Sequence, residues 1–301
     1  MSQNSLVSIL IPTYNRCDLL KRALDCAVNQ TYKNIEIIIG DNHSEDGTEE
    51  LCLKHAKNDN RIKYTRHNEN LGLDKNGEFV LKASNGVYVF YLNDDDWVSE
   101  NYIEEAVKVL DSNSDAIGVN GTINLHDENN MLLFEGCAYS MDEDDYISRC
   151  VKYATQASKY YIATGVFRAD AFKSIQAFNE YRFCEDQLFI MKLIYLGKMI
   201  IVPDMIFHKT ANGCTKDLET LKEYFKLPDM TYENYWYYLA REYMSSVLYD
   251  KPYNEKLSKN ERIDFALELC KTIEDNFKIK VEVKHKSFGQ KIIDKIRGKK
   301  D

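Results

Sequence analysis

Long apolar runs, an export signal and paired cysteines are all missing from this sequence. No stretch reaches the roughly 18 uninterrupted apolar residues that a membrane-spanning helix needs. The N-terminal segment, residues 1–16, has neither a basic start nor a long apolar centre, so it lacks the form of a signal peptide. The eight cysteines have no spacing typical of a disulfide framework or a zinc site. We therefore expect a cytoplasmic protein with reduced thiols.

Positive charge is also scarce. Lys and Arg number 39 against 48 Asp and Glu, which gives a formal net charge of −9. Because a nucleic-acid partner requires a basic face that binds phosphates, we expect no nucleic-acid binding. The remaining composition, with 44% hydrophobic and 29% charged residues, is typical of a globular protein. A length of 301 residues allows one large domain or two.

The C-terminal end departs from this charge balance. Residues 278–301 contain nine Lys or Arg and three acidic residues. Within this segment Phe288, Ile292 and Ile296 recur at four-residue spacing beside a row of lysines. The pattern predicts a short basic amphipathic helix over 287–301 that makes peripheral contact with the inner face of an anionic membrane. A disordered, solubilising tail is the alternative interpretation.

The first half of the chain alternates short apolar runs with helical patterns. Strands are predicted at 6–11, 35–40, 61–66 and 87–92, and each is followed by a helix. This alternation predicts a mostly parallel sheet flanked by helices, an α/β fold of Rossmann-like type. Further strands are predicted at 117–123, 161–167 and 199–203, with a helix at 186–196. From residue 217 the pattern is helical, so we expect one domain over 1–215 and a helical C-terminal extension over 216–301.

Glycine is absent from the turn that follows the first predicted strand. This turn reads "PTYNR", residues 12–16. A dinucleotide-binding fold requires a glycine-rich turn at this point, and a nucleotidyltransferase requires a glycine-rich phosphate loop early in the chain. Both classes are therefore disfavoured, although Asp41 ends the second strand where a dinucleotide fold places its ribose ligand.

Three consecutive carboxylates, Asp94, Asp95 and Asp96, follow the apolar run 87–92. Like charges repel, and no Lys or Arg lies within eight residues on either side. One interpretation is a solvated loop in which Asp96 or Ser99 caps the next helix. The other is a divalent-cation site, because a cation would neutralise the cluster. An EF-hand is excluded, since the loop lacks the alternate spacing and the glycine of that motif.

The polar segments that follow three predicted strands are expected to converge. These segments are "PTYNR" after the first strand, Asp41 after the second and "NDDD", residues 93–96, after the fourth. Ligands of open α/β sheets bind at the carboxyl ends of the strands, where neighbouring strand ends form a crevice. The sequence therefore predicts one binding site at this edge of the sheet.

Five motifs occur in an order that resembles the family 2 glycosyltransferases, which have the GT-A fold. They are "VSILIPTYNR", "QTYKNIEIIIGDNHSEDGT", "NENLG", "YLNDDDW" and "EDQLFIMKLIYLG", and the resemblance covers residues 5–215. It implies transfer of a sugar from a nucleotide diphosphate sugar to an acceptor hydroxyl.

The resemblance also implies a set of donor-binding residues. Pro12, Tyr14 and Asp41 match positions that hold the nucleotide. Asp41 would accept a hydrogen bond from a ring N–H of the base, which suits uracil. Arg16 would face the diphosphate, or it could merely start the helix. After "NENLG", Lys75 and Asn76 are candidates for a further contact, or are plain helix surface.

The acidic cluster matches the metal motif of the family. Asp95 corresponds to the carboxylate that binds Mg²⁺ or Mn²⁺, and Asp94 to a position near the ribose. Asn93 stands where the family often has an aspartate, which leaves open which of the three carboxylates reaches the metal, so Asp96 stays in the set. The family often places a histidine that contacts the metal or the diphosphate where His208 stands, although a lone histidine can also be structural.

The acceptor side of the family motif matches Glu185 and Asp186. In inverting members this aspartate is the general base, which takes the proton of the acceptor hydroxyl. Glu185 would orient neighbouring groups or the acceptor. The alternative for Asp186 is an N-cap, because it precedes the helical segment 187–196.

The function expected from these motifs is metal-dependent, inverting transfer of a hexosyl or N-acetylhexosaminyl group, with a UDP-sugar as the donor. The acceptor would be a glycan, a lipid-linked glycan or a protein in bacterial surface polysaccharide or glycoconjugate synthesis. Two alternatives are a nucleotide-sugar-binding protein without catalysis and a nucleotidyltransferase. The intact Asp95 and Asp186 argue against the first, and the missing glycine-rich loop argues against the second.

Overall fold

A computed structural model describes six continuous stretches of the chain. They cover residues 5–127, 129–136, 140–156, 164–175, 184–211 and 235–277, together with the single residues 222, 226, 229 and 231. The predicted basic segment 287–301 lies outside these described residues.

The N-terminal part alternates strands and helices as expected from the sequence. Its elements are β1 Val7–Thr13, α1 Cys17–Val28, β2 Ile35–Asp41, α2 Thr48–Asn58, β3 Ile62–Arg66, α3 Leu73–Lys82, β4 Tyr88–Tyr91, β5 Trp97–Val98 and α4 Tyr102–Ser112. The strands β1 and β2 are buried along their whole length, because helices cover both faces of a parallel sheet.

The remaining elements include three that overlap predicted strands and several that the sequence patterns did not reveal. They are β6 Ala116–His126, β7 Leu132–Glu135, α5 Tyr146–Gln156, β8 Val166–Arg168, α6 Ala169–Ser174, α7 Glu185–Leu196, β9 Lys198–Thr210, α8 Tyr235–Tyr249, α9 Tyr253–Lys256 and α10 Lys259–Phe277. The unexpected elements are β5, β7, α5 and α6, together with the short helix α9.

The strands form one mixed sheet in the order β3-β2-β1-β4-β8-β6-β9-β5, with β7 paired to β6. The first four strands are parallel to one another. Beyond β4 the sheet is mixed: β8 is antiparallel to both of its neighbours, whereas β6 and β9 are parallel. The expectation of a mostly parallel sheet therefore holds for the strands β3, β2, β1 and β4 and not for the rest of the sheet.

The sequence "DGTE", residues 46–49, predicts a capping box with Asp46 at the N-cap position and Glu49 three residues later, but α2 starts differently. Gly47, with φ of +91°, occupies the N-cap position, and the helix begins at Thr48. The carboxylate of Asp46 instead accepts hydrogen bonds from the backbone N–H and the hydroxyl of Thr48, at 3.2 and 2.6 Å. Glycine takes this left-handed conformation at no steric cost, so the cap moves one residue downstream.

The chain divides into two compact units that are not consecutive in sequence. The first contains residues 1–142, 160–179 and 197–213, which include the whole sheet. The second contains 143–159, 180–196 and 214–301. The last segment of the second unit begins at residue 214, whereas the sequence predicts a single boundary after residue 215. Two earlier helices, α5 and α7, also belong to the second unit.

Helix packing in the second unit rests on one buried arginine and on aromatic contacts. Arg149 of α5 donates to the backbone oxygen of Ile194 at 3.0 Å and to that of Asp144 at 2.9 Å, so its charge is shared among carbonyl groups. Tyr195 of α7 packs on Tyr253 with ring centroids 4.8 Å apart. Among the residues described, no helix has both the length and the apolar character needed to span a bilayer.

Candidate active site

The turns that follow β1 and β2 lie side by side, because Thr13 and Asp41 are partners in the parallel register. The backbone N–H of Asn15 donates to the hydroxyl of Ser44 at 2.8 Å, and its side-chain oxygen accepts the N–H of Glu45 at 2.8 Å. Asn15 has φ of +51°, a left-handed conformation that asparagine tolerates better than most residues. This asparagine supplies the conformation that a glycine would otherwise provide in the turn.

Pro12 and Tyr14 flank this turn in different environments. Pro12 is buried within β1 opposite Gly40, whereas the side chain of Tyr14 is 44% exposed just beyond the strand. Tyr14 is thus the one of the two whose ring is open to a ligand.

Asp41 is completely buried, and both of its carboxylate oxygens have protein partners. Oδ1 accepts the backbone N–H of Ser44 at 2.9 Å, and Oδ2 accepts the hydroxyl of Tyr64 at 2.7 Å. Arg66 lies 4.0 Å from the same carboxylate. Because Asp41 is fully buried, a nucleotide base could reach its carboxylate only after neighbouring groups such as the Tyr64 hydroxyl have moved.

Arg16 provides the counter-charge that the local sequence lacks. Its Nη1 lies 3.1 Å from Oδ1 of Asp94 and 3.0 Å from Oδ2 of Asp95. Arg16 occupies the N-cap position of α1, so it both starts the helix and reaches the acidic loop. No Lys or Arg lies close to the loop in the chain, and the cation instead comes from 78 positions away.

The three carboxylates of the loop differ in their surroundings. Burial raises the pKa of Asp94 to about 6, against the opposing effect of the Arg16 charge. Burial also raises the pKa of Asp96, and the positive charge of Lys209 opposes this shift. Asp96 accepts the backbone N–H of Thr210 at 3.0 Å and the side-chain amide of Asn93 at 2.9 Å, one on each oxygen. Asp96 therefore anchors the loop to β9, while Asp94 and Asp95 both pair with the partly exposed Arg16.

Arg22 of α1 is a site residue that sequence reasoning missed. Its Nη2 donates to the backbone oxygen of Asp95 at 2.7 Å, and its Cζ lies 3.6 Å from the ring centroid of Trp97. The hydroxyl of Thr210 donates to the same oxygen of Asp95 at 2.6 Å. Arg22 follows Arg16 by six positions, on the helix that begins at the site. The presence of a second arginine on that helix is the sequence feature that could have indicated its role.

His208 lies beside this loop on β9, and its ring is neutral near pH 7. The ring stacks on Trp97 with centroids 4.9 Å apart and an interplanar angle of 2°. Its Nδ1 lies 2.9 Å from Nε2 of His126, a residue that the sequence did not single out. Burial, reinforced by His126 and by the charge of Arg22, lowers the pKa of His208 to about 4. A neutral imidazole is the form that binds a metal.

The two candidates after "NENLG" have different surroundings. Lys75 is exposed on α3. Asn76 is buried, and its amide donates to the backbone oxygen of Gly40 at 2.8 Å while Nε2 of His67 lies 3.0 Å from its Oδ1. Asn76 therefore connects α3 to the end of β2, and Lys75 has the exposed side chain of the pair.

Glu185 and Asp186 begin helix α7 in the second unit. The helix starts at Glu185, so Asp186 lies in its first turn and not at the N-cap position that the alternative interpretation assigned to it. Asp186 is exposed, and Glu185 is half-buried. The neighbouring Gln187 accepts a hydrogen bond from the buried hydroxyl of Tyr243 at 3.1 Å, which fixes this end of the helix.

A metal site can also be recognised as a cluster of ligating side chains in the part of the chain that the structure describes. There, no group of three or more His, Cys, Asp or Glu side chains could by itself hold a metal ion. Groups at the carboxyl edge of the sheet that could act as metal ligands include the Asp95 carboxylate, beside Arg16, and the neutral His208 imidazole on β9.

Comparison with known proteins identifies similar sequences. A profile described as "Glycosyl transferase family 2" matches residues 8–162. The glycosyltransferase GlyA of Streptococcus pneumoniae serotype 4 is 27% identical over 207 residues, which cover 64% of this chain and 30% of that protein. The putative glycosyltransferase EpsH of Bacillus subtilis is 30% identical over 156 residues, which cover 52% of this chain and 41% of that protein. The chain thus spans less than half the length of these two curated relatives.

Solved structures are similar in fold. The crystal structure of S. aureus TarS 1-349 in complex with UDP-GlcNAc matches with a TM-score of 0.61 at 18% sequence identity, and the match covers 92% of this chain and 76% of that chain. At this identity the likeness shows the fold, and it confirms the GT-A architecture expected from the sequence. Since the family profile covers more than half of the chain, the protein belongs to glycosyl transferase family 2.

Proposed function

We propose that the protein is a metal-dependent, inverting glycosyltransferase that transfers a hexosyl or N-acetylhexosaminyl group from a UDP-sugar. The observation that carries this proposal is the contact of Arg16 with both Asp94 and Asp95 at the carboxyl edge of the sheet. In a member of this family, the guanidinium of Arg16 is suited to bind the diphosphate of the donor. The two carboxylates beside it are suited to a site that binds a metal ion together with that diphosphate. TarS forms complexes with UDP-GlcNAc and with UDP, which supports a uridine nucleotide as the donor.

The nucleotide would bind across the turns after β1 and β2. Tyr14 offers an exposed ring, and Pro12 shapes the strand end beneath it. Asp41 would accept a hydrogen bond from the base once the Tyr64 hydroxyl turns away from it. Asp94 would bind the ribose, and the exposed Lys75 would add a contact from α3.

Asp95 and His208 are the residues that would hold Mn²⁺ or Mg²⁺, and phosphate oxygens of the donor would complete its ligands. The donor set fits: Asp95 pairs with an arginine whose side chain is 37% exposed and able to move to the diphosphate, and the His208 ring is neutral. A bound ion would neutralise charge on the departing diphosphate. Because both oxygens of Asp96 have protein partners, we leave Asp96 out of the metal set and assign it to positioning.

Asp186 would act as the general base of the transfer. It accepts the proton of the acceptor hydroxyl while the acceptor oxygen bonds to the anomeric carbon, and the bond from that carbon to the diphosphate oxygen breaks. Attack opposite to the leaving group inverts the configuration. Glu185 would orient the acceptor, and Arg16 would pair with the diphosphate as it departs. An exposed carboxylate in the first turn of α7 is open to an acceptor hydroxyl.

The acceptor we propose is a glycan, a lipid-linked glycan or a protein in the synthesis of a bacterial surface polysaccharide or glycoconjugate. The similarity to glycosyltransferases of Streptococcus and Bacillus supports a bacterial setting for the reaction.

A thermal-shift panel of nucleotides and nucleotide sugars, each with and without Mn²⁺, tests the proposal. A ligand at 100 times its dissociation constant stabilises the folded protein by about 2.7 kcal/mol, which is readily measured. We expect UDP and one UDP-sugar to raise the melting temperature in a Mn²⁺-dependent way, and GDP to raise it less. No shift with any uridine nucleotide would refute the donor assignment. A shift without turnover of any sugar donor and acceptor would instead favour a binding protein.

A further inference from the structure

His126 and His208 lie on the same face of the sheet, next to the proposed metal site. His208 pairs with Asn124 in the parallel register of β6 and β9, and with Trp97 in the antiparallel register of β9 and β5. Because side chains alternate along a strand, His126 is on the same face as Asn124 and so meets His208 diagonally. Their Nε2 and Nδ1 atoms are 2.9 Å apart.

The hydrogen bonds of His126 determine where its proton resides. Its Nδ1 lies 3.2 Å from the backbone oxygen of Asn130, and a carbonyl oxygen can only accept. In the neutral ring, Nδ1 therefore carries the hydrogen and Nε2 has the lone pair. His208 must then donate from Nδ1 to His126, which leaves the lone pair of His208 on Nε2.

The two rings are also held in orientation. Trp97 stacks flat on His208 and contacts His126 with ring centroids 4.8 Å apart. Arg22 lies over Trp97 and also hydrogen-bonds to the side-chain oxygen of Asn130. His126 is only 8% exposed, so it is not itself open to a ligand.

We propose that His126 is a positioning residue, which fixes the ring of His208 with its proton on Nδ1 so that Nε2 is available to the metal. This inference rests on the proposed function, in which His208 is the ligand. Metal-binding histidines commonly donate their second N–H to an acceptor that sets the tautomer and the ring orientation. In water, a neutral histidine carries its proton mainly on Nε2, so without His126 the ring would favour the form that cannot bind a metal through that nitrogen.

The tautomer can be measured without any metal. Long-range ¹H–¹⁵N spectra of the full chain at pH 7.5, assigned with His126→Gln and His208→Ala, report which nitrogen of each ring is protonated. We expect protonated Nδ1 in both His126 and His208 of the wild type. A proton on Nε2 of His208 in the wild type would overturn the inference, whatever the metal affinity.

Metal affinity provides the second readout. Titration of Mn²⁺, alone and in the presence of UDP, is expected to show affinity about 10–100 times weaker in His126→Phe, which keeps a ring against Trp97 but has no acceptor. His126→Gln restores an acceptor for His208 and a donor for Asn130, so it should recover most of the affinity. His55→Phe, on α2, is the matched control and should leave Mn²⁺ affinity unchanged. Equal affinity of His126→Phe and the wild type would overturn the inference.

The two proposals fail in different ways. If His208→Ala binds Mn²⁺ with UDP as tightly as the wild type does, the ligand assignment of the proposed function is wrong. If His208→Ala loses affinity and His126→Phe does not, the ligand assignment stands and the positioning role is wrong. Should His126→Phe fail to fold, the wild-type tautomer alone still decides the question.

Discussion

Nη1 of Arg16 lies 3.0 Å from Oδ2 of Asp95, so a cation from the start of α1 occupies the carboxylate that we assign to the metal. The same nitrogen lies 3.1 Å from Asp94. The arginine therefore stabilises the acidic loop before the donor arrives, and it is placed to pair with the diphosphate afterwards. If Arg16 alternates between these two roles, its replacement should have opposite effects on the affinity for the metal and on the affinity for the nucleotide.

Replacing Arg16 by methionine is expected to separate these effects. UDP should bind at least tenfold more weakly, because a hydrogen bond to a charged group contributes about 1.5–3 kcal/mol. Mn²⁺ alone should bind at least as tightly as before, since no guanidinium competes for Asp95. Isothermal titration of each ligand checks this, with Arg61→Met as the control, because Arg61 pairs with Asp59 and donates to the backbone oxygen of Val28, not to the acidic loop. Unchanged UDP affinity would contradict the proposed role.

Asp95 and Asp96 should respond differently to replacement. Asp96→Ala leaves the Thr210 N–H and the Asn93 amide without their acceptor, so we expect a loss of about 1–3 kcal/mol in the free energy of unfolding. Asp95→Asn should change stability less but remove most of the Mn²⁺ dependence of UDP binding. Urea unfolding and thermal shift on the two variants side by side make the comparison. Intact Mn²⁺ dependence in Asp95→Asn would remove this carboxylate from the metal site.

A pH-dependent contribution to stability is expected from Glu36 on β2. Burial opposes its ionisation, but hydrogen bonds from Lys63, Ser8 and Asn85 outweigh burial and lower the pKa of its carboxyl below the ordinary value of 4.5. A lowered pKa in the folded state means that this contribution is present above pH 4.5 and is lost as pH falls further.

Glu36→Gln tests this contribution through urea unfolding between pH 3 and pH 7. We expect the variant to be less stable than the wild type by about 1–3 kcal/mol at pH 7, with a difference that narrows below pH 4.5. Glu100→Gln makes the same chemical change on an exposed side chain and should show little difference at any pH. A gap between wild type and Glu36→Gln that stays constant down to pH 3 would be inconsistent with this account.

Asp186→Asn should lose turnover while it keeps structure and donor binding. Asparagine has the same size and suits a first helical turn nearly as well, but it cannot take the acceptor proton. We expect sugar transfer to fall by about 10²–10⁴, with melting temperature and UDP affinity near those of the wild type. The rate of transfer by the purified variant, measured with the donor found in the thermal-shift panel, checks this. Near-normal transfer would move the assignment of the base to Glu185.

Deletion of residues 287–301 tests the predicted contact with membranes. If Phe288, Ile292 and Ile296 enter a lipid surface, the deletion should abolish co-sedimentation with anionic vesicles and leave turnover of a soluble acceptor unchanged. Vesicles of neutral lipid are the control, because the basic residues require anionic headgroups. Binding that persists after the deletion would support the solubilising-tail interpretation.

Local patterns in the sequence determined most of the fold. The apolar runs of β1, β2 and β4 and the periodic helices between them were all readable, because each depends on residues close together in the chain. Two strands, β5 and β7, could not be predicted from the sequence. β5 has only two residues, and all four side chains of β7 are exposed, so neither strand shows an alternation of apolar and polar residues. β9 runs on to Thr210, beyond the predicted end at 203, because an irregularity in its pairing with β6 between Gly121 and Thr122 accommodates Pro203.

The part of the candidate site that depends on residues close together in the chain could also be predicted from the sequence. That polar groups follow β1, β2 and β4 is visible in the sequence, and parallel strands bring their carboxyl ends to one edge. Only the tertiary structure decided which side chains then meet. Arg16 reaches Asp94 across 78 positions, and His126 reaches His208 across 82. Such pairs depend on strand order and register, and the residues around each partner carry no information about which distant strand will lie beside it.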